Sequence, residues 1–166
     1  MRRSFMLAAV LLLEVVAATG QDKQRIQTIL FVCEHGSAKS VIAAAHFNRL
    51  AEQRKLPYRA MARGINPDPE IPQQVRLDLA KDGLDVANWK PALVAEKDVR
   101  EAVRVVTFGC RVPFSEKTTA GKVVDWQGIP STSENYERAR TTIVDKIDAL
   151  IKTLAPKSWI ERTESP

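Results

Sequence analysis

The 166-residue sequence is poor in the residues that build metal centres and disulfide frameworks. It holds two cysteines, Cys33 and Cys110, and two histidines, His35 and His46. That set is too small and too dispersed for a zinc-type ligand group, so neither a metal site nor a cofactor is expected. Charge of one sign is also scarce: the formal net charge is +5, spread along the chain. A spread excess attracts small anions but does not make the basic stripe that nucleic acid needs, so no nucleic-acid role is expected. Internal repeats are absent. So is a run of ~20 apolar residues, the length a bilayer span requires. The one apolar N-terminal run, "SFMLAAVLLLEVVAA", is shorter than that and is broken by Glu14.

That run fits a different role. Met1, Arg2 and Arg3 make a basic start, and Ala18, Thr19 and Gly20 supply small residues ahead of Gln21. A basic start, an apolar centre and a small-residue end form the layout of a secretory signal peptide. Residues 1–20 are therefore expected to be cleaved on export, placing the mature chain in the periplasm or outside the cell. Loss of Arg2, Arg3 and Glu14 changes the formal charge to +4. No membrane span is expected after cleavage, and no cysteine stands at the cut to carry a lipid. Outside the cytosol the two thiols can persist as a disulfide.

The remaining length suits one domain, residues 21–156, followed by a tail at 157–166 with Trp159 available to dock. Apolar and β-branched runs alternate with helix-like periodicity. "QTILFVC" (27–33) predicts a buried parallel strand. A helix is predicted from Ser40 to Lys55, stopped by Pro57. "YRAMARG" (58–64) predicts a second strand, and the proline-rich "NPDPEIP" a loop. "QQVRLDLAKDG" reads as a helix closed by Gly83. "VRVVTFGC" (103–110) and "KVVDW" (122–126) predict two further strands. Ser131 to Glu134 has capping-box spacing, and Ile143, Val144, Ile147, Leu150, Ile151 and Leu154 form one stripe of a last helix. Strand and helix in alternation indicate an α/β fold with a parallel sheet covered on both faces. Ligands of such sheets bind at the carboxyl ends of the strands, where Cys33 and Cys110 both fall.

The turn after the first strand concentrates the chemistry. Cys33, Glu34, His35, Gly36, Ser37, Ala38, Lys39 and Ser40 lead from strand to helix. Backbone N–H groups in such a turn, with the helix N-terminus, form a concave site for an oxyanion. Gly36, Ser37 and Ala38 let the backbone approach a ligand closely. The helix end and Lys39 both favour thiolate at Cys33, and a thiolate facing phosphate or arsenate is set for nucleophilic displacement. The plainer alternative is a strand that ends in a buried cysteine. Glu34 would repel an anion, so its side chain is expected to point outward with only its N–H facing the site. His35 is expected to brace the turn, and His46 to be a satisfied histidine of the first helix. Arg63 and Arg111, near strand ends, either add positive charge to the site or are solvated.

The segment resembles the phosphate-binding loop of the low-molecular-weight protein tyrosine phosphatases and the arsenate reductases that share their fold. That loop runs cysteine, five residues, arginine, serine. Cys33 and Ser40 stand at the matching ends, and Lys39 holds the arginine position. "ARGINP" (62–67) is similar to the family's segment after its second strand. "IPQQVRLDLAKDGLDVANWKPALV" resembles the following helix and loop, and "VVTFGC" the strand that ends near a redox cysteine in arsenate reductases. "VVDWQGIP" resembles the late loop that carries the general acid. The resemblance covers most of residues 27–154. It implies a three-layer α/β/α fold around a four-stranded parallel sheet, and an enzyme using a cysteine nucleophile.

Carried over residue by residue, the resemblance makes Cys33 the nucleophile and Lys39, with residues 34–40, the oxyanion holder. It makes Cys110 a resolving thiol, beside an external thiol reductant. Lysine keeps the charge of arginine but loses its planar fork. Where the family has aspartate before proline, this chain has Ile129-Pro130, and Asp125 is the nearby carboxylate. Asp125 is then either the proton donor or a structural cap. A complete three-cysteine relay is excluded by count. The expected activity is phosphatase chemistry or thiol-dependent arsenate reduction on phosphate, arsenate or a phosphorylated substrate. The alternative is a module of the same fold that binds an oxyanion or a protein without turnover.

Overall fold

A computed structural model describes residues 25–154. The expected signal peptide, the cleavage point and Trp159 lie outside the described residues. In chain order the elements are β1 (Gln27–Cys33), α1 (Lys39–Gln53), β2 (Tyr58–Gly64), α2 (Gln73–Lys81) and α3 (Glu96–Glu101). They continue as β3 (Ala102–Thr107), α4 (Glu116–Thr119), β4 (Val123–Asp125) and α5 (Tyr136–Leu154). The strands form one parallel sheet in the order β2-β1-β3-β4.

Period-two alternation of β1 divides the core between the two sheet faces. Ile29 and Phe31 face a cluster with Ile42 and Phe47 of α1, Leu79 of α2, and Ile143 and Ile147 of α5. Leu30 and Val32 face the opposite way, into a cluster with Val99 of α3, Val105 and Val112. All four β1 side chains are fully buried. A central parallel strand with both faces covered is apolar where it is buried, and this one is apolar from Ile29 to Cys33. The result is the three-layer α/β/α arrangement with four parallel strands. Strand order reverses at β1, so the crevice for a ligand opens between the carboxyl ends of β1 and β3.

Several boundaries differ from the sequence expectations. β3 leaves the ladder after Thr107, because the chain turns through Gly109 at φ +74°, and Phe108 and Cys110 belong to a loop. α1 begins one residue early, at Lys39, and ends before Lys55, whose φ of +52° closes the helix C-terminus. α5 begins at Tyr136 and not at the Ser131 capping box. The Ser131 and Ser133 hydroxyls lie 2.8 Å apart, and Asn135 takes the cap by accepting the Arg138 N–H at 2.9 Å. Short helices α3 and α4, six and four residues long, carry too few turns to show a period. No helix of the described residues is long and apolar enough to cross a membrane.

Candidate active site

Cys33 closes β1 at 7 % exposure, and the loop that follows folds back over it. The Gly36 N–H donates to Sγ at 3.2 Å, and the Ser40 hydroxyl lies 3.1 Å from the same sulfur. Gly36 adopts φ +61°, and a Cβ there would meet the Gly64 nitrogen at 2.6 Å. A Cβ on Gly64 would in turn meet the Gly36 nitrogen at 2.8 Å. The loop is therefore seated on the end of β2 by two residues that both lack side chains.

The chain after β2 then takes the outward carbonyls of the loop. Ile65 N–H donates to Cys33 O (3.1 Å), Asn66 N–H to Glu34 O (2.8 Å) and Asp68 N–H to His35 O (3.0 Å). With those carbonyls held outside, the N–H groups of Ser37, Ala38, Lys39 and Ser40 have no protein acceptor among the described residues. The N-cap of α1 is Ala38, whose methyl group cannot satisfy them. Unsatisfied donors at the start of a fifteen-residue helix make a site for an anion. A cavity of about 320 Å³ stands over this turn. Its walls are Cys33, Glu34, His35, Ser37, Ala38 and Lys39 on the loop side, with Phe108, Ser131 and Thr132 opposite.

Lys39 lines the cavity, and its Nζ donates to the Ile129 carbonyl at 2.9 Å. Lys39 at the start of α1 thus touches the late loop at Ile129. Asp125 lies elsewhere. Its Oδ1 accepts the Thr107 hydroxyl (2.7 Å) and the Gly109 N–H (2.8 Å), and Oδ2 accepts the Gln127 amide (2.9 Å). Burial pushes the Asp125 carboxyl up, but those three donors outweigh it and hold the group below the usual carboxylate range. It is not a cavity residue. Of the two roles open to Asp125, the geometry supports the structural one: it pins the turn after β3.

Cys110 is half-buried and donates to the Val32 carbonyl at 3.4 Å, one residue along β1 from Cys33. Burial pushes its thiol up, and the neighbouring Cys33, Glu34 and Asp125 add to the rise. Both cysteines are free thiols. The Glu34 carboxylate is exposed and accepts the Asn66 amide at 2.6 Å, directed toward the β2 side. The His35 carbonyl is tied to Asp68, and its Nδ1 lies 3.4 Å from Asp68 Oδ1. Arg63 pairs with Asp98 at 2.8 Å, away from the cavity, and Arg111 is exposed and does not line it. His46 is buried at 2 % exposure on α1 and lies outside the cavity; its Nε2, 3.4 Å from Asp82 Oδ2, has no hydrogen-bond partner, so it is not the satisfied histidine expected. No group of three potential metal ligands gathers among the described residues.

The sequence marked Ser131 and Thr132 only as a helix start, and it did not single out Phe108 or Asp68. Asp68 had a readable signal. It lies between Pro67 and Pro69 a few residues past the Gly64 strand end, a rigid segment bound to pass the loop.

No protein-family model matches the sequence, and no curated protein matches it significantly. Solved structures do match. An arsenate reductase from Archaeoglobus fulgidus superposes with a TM-score of 0.61 at 27 % identity, over 75 % of this chain and 98 % of that one. A low-molecular-weight protein tyrosine phosphatase from T. tengcongensis gives 0.66 at 19 % identity, over 76 % and 99 %. An arsenate reductase described in its phosphate-binding state gives 0.65 at 16 % identity, over 78 % and 99 %. The described chain therefore has the fold of the low-molecular-weight protein tyrosine phosphatase superfamily, the fold that the arsenate reductases share.

Proposed function

We propose that this chain is an oxyanion-binding enzyme in which the Cys33 thiolate attacks phosphorus or arsenic held in the 33–40 loop. One observation carries the reading. Cys33 Sγ receives the Gly36 N–H and lies beside the Ser40 hydroxyl, in the floor of a cavity ringed by N–H groups without protein acceptors. Those N–H groups and the Lys39 ammonium would hold the equatorial oxygens of the oxyanion. For a phosphomonoester, the S–P bond forms as the ester oxygen departs, and water then releases phosphate. For arsenate, Cys33 displaces an oxygen from arsenic. A second thiol, Cys110 or an external one, then attacks the Cys33 sulfur, forming a disulfide while As(V) leaves as As(III). The nearness of Cys110 to β1 and the arsenate reductases among the structural matches support the latter branch. Export through the N-terminal segment is part of the proposal, and it requires a thiol reductant where the protein resides.

A second reading is a binding module of the same fold without turnover. The Lys39–Ile129 contact and the outward fixation of Asp125 favour it. Reduced protein tested for aryl-phosphate hydrolysis, thiol-dependent arsenate reduction and calorimetric phosphate binding separates the two. The enzyme reading expects turnover that Cys33→Ser abolishes while phosphate still binds. Binding with no turnover on either substrate selects the module.

A further inference from the structure

We infer that His35 is the proton donor of the site, held in position by Asp68. The inference rests on the phosphatase reading above and supplies what that reading leaves open. An oxygen leaving group departs from phosphorus far faster when a positioned acid protonates it. Neither Ile129 nor Asp125 of the late loop can do so. Ile129 is apolar and buried, and Asp125 is ionised and engaged by Thr107, Gly109 and Gln127 outside the cavity.

His35 stands in the same cavity wall as Cys33. Its Nδ1 lies 3.4 Å from Asp68 Oδ1. Asp68 is itself fixed, because its N–H donates to the His35 carbonyl at 3.0 Å and its Oδ2 accepts the Ser37 hydroxyl at 2.5 Å. A carboxylate facing Nδ1 orients the ring and leaves Nε2–H as the group free to donate. Two charged side chains of the same loop are engaged elsewhere. Glu34 is drawn off by the Asn66 amide, and the Lys39 ammonium is held on the Ile129 carbonyl. Bracing the turn and donating a proton are compatible, since the brace is formed by the His35 backbone and Nδ1 and the donor is Nε2.

The step balances with no further reagent. The Cys33 thiolate forms the S–P bond as the P–O bond to the leaving alcohol breaks, and His35 Nε2 gives its proton to that oxygen. In the second step neutral His35 takes a proton from the attacking water. The S–P bond breaks, thiolate and imidazolium return, and phosphate leaves. Asp68 acts through His35 and is a positioning residue.

The test uses reduced full-chain protein, wild type, His35→Gln and Asp68→Asn, with 4-nitrophenyl phosphate and phenyl phosphate. The expected loss in His35→Gln is about 100-fold on phenyl phosphate, whose leaving group needs the proton, and only a few-fold on the nitrophenyl ester. The alkaline limb of its kcat/KM profile should vanish, with calorimetric phosphate binding retained as the fold control. Asp68→Asn should lower kcat on phenyl phosphate more than on the nitrophenyl ester, with KM for both unchanged. Equal losses on both esters, or none, in a variant that still binds phosphate would overturn the role of His35 and leave the enzyme reading standing. Wild-type protein that binds phosphate but turns over neither ester would overturn the role of His35 together with the phosphatase branch.

Discussion

Helix α1 carries two polar regions that are built in opposite ways. At its first turn, N–H donors outnumber the protein acceptors, the cap is an alanine, and a cavity lies above. Nearly two turns on, around His46, charged groups are buried and partnered. Asp82 accepts Arg140 at 2.7 Å and the Tyr136 hydroxyl at 2.8 Å, and its carbonyl accepts Arg49 at 2.5 Å. Arg49 also lies 3.2 Å from His46 Nδ1, which places the ring proton on Nε2, 3.4 Å from Asp82 and without a well-formed hydrogen bond. Burial pushes the Tyr136 hydroxyl far up, and the hydrogen bond to Asp82 adds to the rise. The difference separates structure from chemistry. Buried groups paired through Asp82, with His46 Nε2 left over, join α1 to α5 and the end of α2, whereas donors left open at a concave surface await a ligand.

The sharpest way to break the comparison is to open the partnered region. Asp82→Ala strands Arg140, Tyr136 and His46 and should cost roughly 3–5 kcal/mol in urea unfolding, with phosphate affinity unchanged. At the other region, Gly36→Ala combines ~1–2 kcal/mol for a left-handed φ with ~1–3 kcal/mol of overpacking against Gly64. It should also remove phosphate binding in calorimetry, which Asp82→Ala does not. Stability should depend on pH through His46, lowered to about 4 by burial, then Arg49, with Asp82 opposing. The unfolded imidazole binds its proton near pH 6.5, so the unfolded state gains protons first as pH falls. Stability present above pH 6.5 should therefore be lost progressively toward pH 4, by at most about 3 kcal/mol, and His46→Asn should flatten that slope. Lys39→Ala removes one charged donor from the site and should weaken phosphate binding by about 1.5–3 kcal/mol, with little effect on urea unfolding.

Much of this contrast was legible in the residues alone. β1 and β2 keep the bounds that their apolar runs indicate, and the 33–40 loop was found because cysteine, small residues and lysine follow a strand directly. What could not be read depends on distance along the chain. Asp68 reaches Ser37 from 31 residues away, and Lys39 meets Ile129 from 90. Asp125 shows the same limit from another side. A lone carboxylate in a late loop reads equally well as acid or cap, and only the positions of Thr107 and Gly109 decide between them.

The central claim is that Cys33 lies at the floor of an anion site that Cys110 does not share. Iodoacetamide labelling of the reduced protein, followed at each cysteine by mass spectrometry with and without phosphate, tests it most directly. The account predicts that Cys33 reacts first at neutral pH and that phosphate slows Cys33 alone. Cys110, its thiol pushed up by burial, should need more alkaline solution. Equal labelling of the two cysteines, or a Cys33 rate that saturating phosphate leaves unchanged, would contradict the account.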